Sequence, residues 1–225
     1  MNIDTLVRNN IKNMSSYSSA SDDFMNDFDK KLIYLDANES PFGSGINRYP
    51  DNKHTELKKV VSNIKNINVN QIVFGNGTDE ILDLIVRVFC NPNKDKIITL
   101  PPTYGMYDVI AKTNGVENIE IPLKSDFSID KNEILKLSSS SIKILFLCSP
   151  NNPTGNSFDT NDLTDLIKGF KGIVVVDEAY IDFSTKESLI SLIKDNNNLI
   201  ITQTMSKAFL SVRTFKLYGG LILFK

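Results

Sequence analysis

Apolar positions in this chain switch repeatedly between two rhythms. Residues 71–74 are β-prone and lead into Gly75-Asn76-Gly77-Thr78. Over 79–89, Ile81, Leu82, Ile85, Val88 and Phe89 recur at helical spacing, which predicts a helix. A strand is expected over 96–100, closed by Pro101-Pro102. A helix follows over 104–114, ending before Gly115, and then a strand over 116–123. Residues 142–148 are apolar apart from Lys143, and 173–176 are four β-formers in a row. Helices are predicted over 163–170 and 187–194, and a last β run over 199–202. The short runs Ser138 to Ser141 and Asn196 to Asn198 read as loops.

Strands that are continuously apolar, rather than alternating, belong to a sheet covered on both faces. Strand and helix in alternation predict a three-layer, doubly wound α/β fold with a mostly parallel sheet. Right-handed crossovers put the strand-to-loop junctions on one rim, where ligands bind. The residues that follow each strand are therefore the candidates for chemistry.

Composition narrows the possibilities. The 225 residues are 41% hydrophobic and 23% charged, enough apolar material for a core. The net charge of -2 gives no basic excess for nucleic acid. With one histidine, His54, a histidine-rich metal site is excluded. Cys90 and Cys148 fit no zinc spacing and read as reduced core thiols. No run approaches the roughly 20 apolar residues of a membrane helix. Residues 1–29 are rich in Asn, Ser and Asp without an apolar signal core, so no membrane partner is expected and the cytoplasm is the expected location.

Five rim segments stand out. Gly75-Asn76-Gly77-Thr78-Asp79-Glu80 allows a tight turn, with Thr78 or Asp79 as a helix cap and free N–H groups for an anion; alone it is equally a plain glycine turn. Pro101-Pro102-Thr103-Tyr104 places an aromatic ring near the rim, for stacking or for packing. Ser149-Pro150-Asn151-Asn152-Pro153 offers the Asn152 amide, or a surface turn. Asp177 ends a fully apolar strand, where an acid needs a partner. Thr204, Ser206 and Lys207 follow the last strand, and a lysine in a low-dielectric pocket can act as a nucleophile. Together, in this order, they supply what a pyridoxal phosphate pocket needs: donors for phosphate, a carboxylate for the ring nitrogen and an amine for the aldehyde.

With Leu35-Asp36-Ala37-Asn38-Glu39-Ser40-Pro41, Arg48-Tyr49-Pro50-Asp51, Val176-Asp177-Glu178-Ala179-Tyr180 and Ser206-Lys207-Ala208-Phe209 added, the chain resembles the fold-type I pyridoxal-phosphate aminotransferases. The match runs from about Tyr34 to Phe209 and is nearest to the histidinol-phosphate branch. The resemblance implies pyridoxal 5'-phosphate as cofactor, with Lys207 as its covalent anchor and proton carrier and Asp177 at its ring nitrogen. It implies Tyr180 and Asn152 at the ring's phenolic oxygen, and Tyr104 stacked on the ring. The backbone at Gly77, Thr78 and Asp79, with the Thr204 and Ser206 hydroxyls, would hold the phosphate. Tyr49 would reach the phosphate of the other subunit of a homodimer, and Asn38 would line the substrate side. The implied reaction is transamination between glutamate and the imidazole-acetol phosphate/histidinol phosphate pair, in histidine biosynthesis. A decarboxylase of phosphorylated amino acids with the same fold, or an inactive remnant, are the alternatives.

The resemblance stops after Phe209. The family's arginine eight residues beyond the lysine is Phe215 here, and Arg213 comes two residues early. The expected organisation is an arm over 1–33, an incomplete cofactor-binding large domain over 34–209 and a divergent tail over 210–225, with the small domain missing. Replacing that arginine removes a charge-assisted phosphate contact. The 225-residue chain is therefore expected to transaminate poorly or not at all. An assay of glutamate-dependent conversion of imidazole-acetol phosphate checks this, and turnover within the usual roughly 1–1,000 per second contradicts it.

Overall fold

The structure is a computed structural model that describes residues 2–15, 35, 37–43 and 45–208, and the backbone alone of 219–223. Seven strands form one sheet: β1 (Ile72–Asn76), β2 (Lys96–Thr99), β3 (Glu117–Glu120), β4 (Ile142–Cys148), β5 (Ile173–Asp177), β6 (Leu199–Thr204) and β7 (Gly219–Leu223). Their spatial order is β1-β7-β6-β5-β4-β2-β3. The β2–β3, β2–β4, β4–β5 and β5–β6 pairs are parallel, and β7 runs antiparallel to both β1 and β6.

Six helices are described: α1 (Asn9–Lys12), α2 (Thr55–Lys65), α3 (Gly77–Phe89), α4 (Met106–Thr113), α5 (Lys131–Leu137) and α6 (Thr160–Gly169). Strand alternation sorts the core into two layers. Ile144, Phe146, Ile173, Val175 and Ile200 pack with Ile81, Leu82 and Ile85 of α3 and Ile110 of α4. Leu145, Leu147, Val174, Val176 and Ile201 pack on the other face with Ile134 of α5 and Leu163, Leu166 and Ile167 of α6. Each such side chain taken fully from water contributes roughly 1.5–3 kcal/mol. Side-chain caps set two helix starts. Asp130 accepts from the Glu133 N–H ahead of α5, and Asp159 from Asn161 and Asp162 N–H ahead of α6.

The three-layer, mostly parallel α/β arrangement is the one expected from the pattern. Local differences have local causes. β3 stops at Glu120, short of 123, because Pro122 has no N–H for the ladder. The segment expected as a helix over 187–194 is a 3-10 turn, Leu189–Asp195, whose first N–H is taken by the buried Glu178 carboxylate at 2.8 Å. α2 and α5 lie outside the elements predicted. The arm expected over 1–33 is described only over 2–15. There Ile3, Leu6 and Val7 pack against the α3 layer, while Arg8 donates from its backbone to Val88 O and from Nη1 to Arg87 O. The tail expected to diverge over 210–225 supplies β7; residues 209–218, and with them Arg213 and Phe215, lie outside the described residues.

The site is placed by the strand ends. β1, β4, β5 and β6 all finish at one rim, beside the loop that follows β2. Between β1 and β6 the only hydrogen-bonded bridge among the described residues is β7. Leu221→Pro removes a donor from that strand. Amide hydrogen exchange is expected to show faster exchange in β1 and β6 and unchanged protection in β2 and β4; equal loss everywhere would contradict this division.

Candidate active site

β5 ends at Asp177, and the acid that follows it, Glu178, continues the alternation to the opposite face. Asp177 falls on the α3/α4 face and is 2% exposed. Its Oδ2 accepts from the Tyr107 hydroxyl at 2.8 Å, and its Oδ1 from Thr202 Oγ1 at 2.9 Å and the Ala179 N–H at 3.2 Å. Thr202 is the β6 residue in register with Asp177. Glu178 falls on the other face. It accepts from Ser188 Oγ at 2.5 Å, the Leu189 N–H at 2.8 Å and Gln203 Nε2 at 2.9 Å. Burial pushes both carboxyls above their ordinary range, and the hydrogen-bond donors hold each partly down.

Asp177 forms part of the wall of a cavity of about 180 Å³, smaller than the roughly 300–1,000 Å³ of common ligand pockets. It suits one planar ring with short substituents. Gly77, Thr78, Asp79, Tyr104, Cys148, Tyr180, Thr204, Ser206 and Lys207 all border it. Gly77 has φ +77°, which L side chains rarely adopt, and a Cβ there would meet open space. α3 begins at Gly77, so Thr78 and Asp79 lie in its first turn and are not its caps. The N-cap is Asn76, which makes no side-chain capping bond and instead gives its N–H to the Glu80 carboxylate. The Tyr104 hydroxyl donates to Asp79 Oδ1 at 3.1 Å, and burial with that acid beside it pushes the phenol up to about 12.

Lys207 borders the cavity but is exposed, not enclosed in a low-dielectric pocket. β6 has ended at Thr204, and the chain there has left the sheet's cover. Its Nζ stands 5.6 Å from the centroid of the Tyr180 ring, a cation–π approach. Thr204 is buried and Ser206 half-buried, with the Ser206 N–H donating to Thr204 Oγ1 at 3.1 Å.

Asn152 borders a second, larger cavity of about 640 Å³, which shares Tyr180 with the first. The better-anchored amide is its neighbour. Asn151 is buried, accepts from Thr103 Oγ1 at 2.9 Å and donates to Pro102 O at 2.9 Å and Thr154 Oγ1 at 2.7 Å. It ties the loop after β4 to the loop after β2. Tyr49 and Asn38 are not brought to either cavity. Tyr49 is 75% exposed, its N–H donating to Glu39 Oε1, while Asn38 is exposed with φ 52°. Sequence reasoning missed Tyr107 and Thr202. Thr202 was available from the register of two strands ending together, whereas Tyr107 carried no signal beyond its place on an apolar helix face.

The family model for aminotransferase class I and II matches residues 20–214. The chain belongs to the class I and II aminotransferases. Among relatives of this family, the histidinol-phosphate aminotransferase of Flavobacterium psychrophilum is 56% identical over 208 residues, covering 92% of this chain and 60% of the relative. The chain thus spans about 60% of that relative's length. The histidinol-phosphate aminotransferase of Clostridium acetobutylicum superposes with a TM-score of 0.69 at 26% identity, over 79% of this chain and 52% of that one. The structure of the Sinorhizobium meliloti enzyme of the same name, in complex with pyridoxal-5'-phosphate, gives 0.70 at 22% identity, over 79% and 48%. The last likeness is one of fold.

The raised carboxyls have a consequence for the unliganded chain. Asp177 and Glu178 hold their protons more tightly folded than unfolded. The stability this contributes is full below the ordinary carboxylate pKa and is lost as pH rises through the folded values. Asp177→Asn is therefore expected to gain stability relative to the parent chain between pH 4 and pH 7. Urea midpoints at the two pH values measure this; a constant difference would contradict it.

Proposed function

We propose that this chain acts in pyridoxal-phosphate-dependent transamination, exchanging the amino group of glutamate with imidazole-acetol phosphate to give histidinol phosphate, in histidine biosynthesis. The observation that carries the reading is the arrangement of the smaller cavity: a buried acid, a glycine turn with hydroxyls and a lysine at the mouth. The 56% identity to a histidinol-phosphate aminotransferase supports the substrate pair.

The donor set fits the cofactor. The left-handed turn at Gly77 leaves room where a Cβ would stand, next to the first-turn N–H groups of α3 and the Thr204 and Ser206 hydroxyls, and these would hold the phosphate. Tyr104 forms an aromatic wall for the ring. Asp177, its carboxyl fixed by three donors, would face the ring nitrogen, and a cation there would favour its ionised form. No arginine borders the cavity among the described residues. When bound, the cofactor supplies an electron sink for the carbon that exchanges its amino group. Lys207 Nζ would hold it as the nucleophile and serve as the base that moves the substrate-carbon proton. The Tyr180 hydroxyl and the Asn152 amide orient the ring from the side of the larger cavity. That cavity would receive the substrates.

The exposed side chains of Leu35, Phe42, Ile46 and Tyr49 support a homodimer in which Tyr49 reaches the other protomer's phosphate site. No helix among the described residues is long and apolar enough to cross a membrane, and we place the protein in the cytoplasm.

Borohydride reduction of the chain with pyridoxal phosphate, followed by peptide mapping, is expected to label Lys207. A label confined to other lysines would sink the assignment. Asp177→Asn is expected to weaken cofactor binding by roughly tenfold or more, the scale of a hydrogen bond to a charged group. Asp182→Asn, at an exposed position beyond the strand, leaves binding unchanged. Equal effects would make Asp177 a structural acid.

A further inference from the structure

We propose that Tyr107 is a positioning residue of this site, holding the Asp177 carboxylate and the Tyr104 ring in one rigid unit. The inference rests on the reading of the smaller cavity as the cofactor site, and it concerns a residue that does not border that cavity. Tyr107 lies on α4, behind the wall, and is 1% exposed. A buried tyrosine needs a partner for its hydroxyl. Here the partner is Asp177 Oδ2, at 2.8 Å. The rest of the ring is clamped. It stacks on Phe146 of β4 with centroids 4.8 Å apart and planes within 4°. Tyr104 packs against it in a T-shaped pair, with centroids 5.6 Å apart and planes at 86°.

The geometry gives Tyr107 two jobs. Its hydroxyl occupies one oxygen of the acid while Thr202 and Ala179 occupy the other, so the carboxylate plane has no free rotation. Its ring supports the aromatic wall of the cavity. Floor and wall are thus referred to the same side chain, which is itself fixed to the sheet through Phe146. A hydroxyl that donates to a carboxylate favours the ionised acid, and ionised acid is what a protonated ring nitrogen requires. The titratable groups that face this carboxyl are Tyr107 from α4, Cys148 from β4 and Asp79 from α3, with Tyr104, Tyr180 and Lys207 around the cavity. Burial pushes the Cys148 thiol up to about 12 and Tyr107 well above its usual value.

Tyr107→Phe keeps the stack on Phe146 and removes only the hydroxyl. Two measurements test the claim on the full chain. In the first, carboxyl carbons of labelled aspartate are titrated by NMR without cofactor, the Asp177 signal being identified by its absence in Asp177→Asn. The midpoint is expected to move up by about one pH unit in Tyr107→Phe, and an unmoved midpoint overturns the proposal. In the second, pyridoxal phosphate affinity is read by absorbance titration at pH 7 and is expected to fall about tenfold. Unchanged affinity in a variant that melts like the parent also overturns it. A parent chain that binds no cofactor would defeat the reading of the site, while the carboxyl titration still decides what Tyr107 does.

Discussion

A carboxylate at the buried end of a parallel strand is the constraint on which the site depends. Asp177 terminates β5 in the middle of the sheet, where an unpaired charge would cost far more than any single contact returns. The cost is met by donors from α4, from β6 and from the turn after β5 itself. Three elements are thereby held to one atom group. Because a strand alternates, the next residue repeats the arrangement on the opposite face. Glu178 gathers the 3-10 segment and the next β6 residue, Gln203, in the same way. The two acids fasten the rim to both covering layers, and the cavity walls inherit their positions from that fastening.

The asymmetry between the two acids is one of surroundings rather than chemistry. Both are buried and both are pushed toward the neutral form. Glu178 spends its acceptors on a backbone N–H, an amide and a hydroxyl within the fold, and it borders only a small crevice behind the site. Asp177 borders open space large enough for a ring. Of the two acids, Asp177 is thus the one that faces space a ring could enter.

Much of this was legible in the chain. β4, β5 and β6 are continuous apolar runs, and a run buried on both faces announces its own boundaries; β4 falls on 142–148 as expected. The residues just past those runs are the ones that reach the rim, so Asp177, Thr204 and Lys207 could be picked out from position alone, whereas Tyr180 came from the family resemblance. What a one-dimensional pattern does not carry is lateral contact. Tyr107 meets Asp177 across 70 positions of sequence. The choice between Asn151 and Asn152 turns on which side chain points inward after the strand. The exposure of Lys207 depends on what lies over the rim, which no local pattern encodes. β7 was missed for a related reason: residues 210–225 were judged by likeness to a family motif, while a Gly-Gly-Leu-Ile-Leu run needs only backbone hydrogen bonds to enter a sheet.

The place of β7 sets an order of assembly. Its partners β1 and β6 carry the glycine turn and the lysine, and β1 lies more than half of the chain away from it in sequence. Contacts of such long range close late, since the loop entropy must be met before they return anything. A ribosome releases β1 long before β7 exists. During that interval β1 has no sheet neighbour among the described strands, and its open edge is a candidate for pairing with other chains. The nascent polypeptide can build the acid-bearing centre, β2 through β6, as soon as those strands emerge. The anion-binding turn joins it only when synthesis has passed residue 219. Translation speed between the codons of β6 and those of β7 therefore governs how long the two parts of the site stay apart.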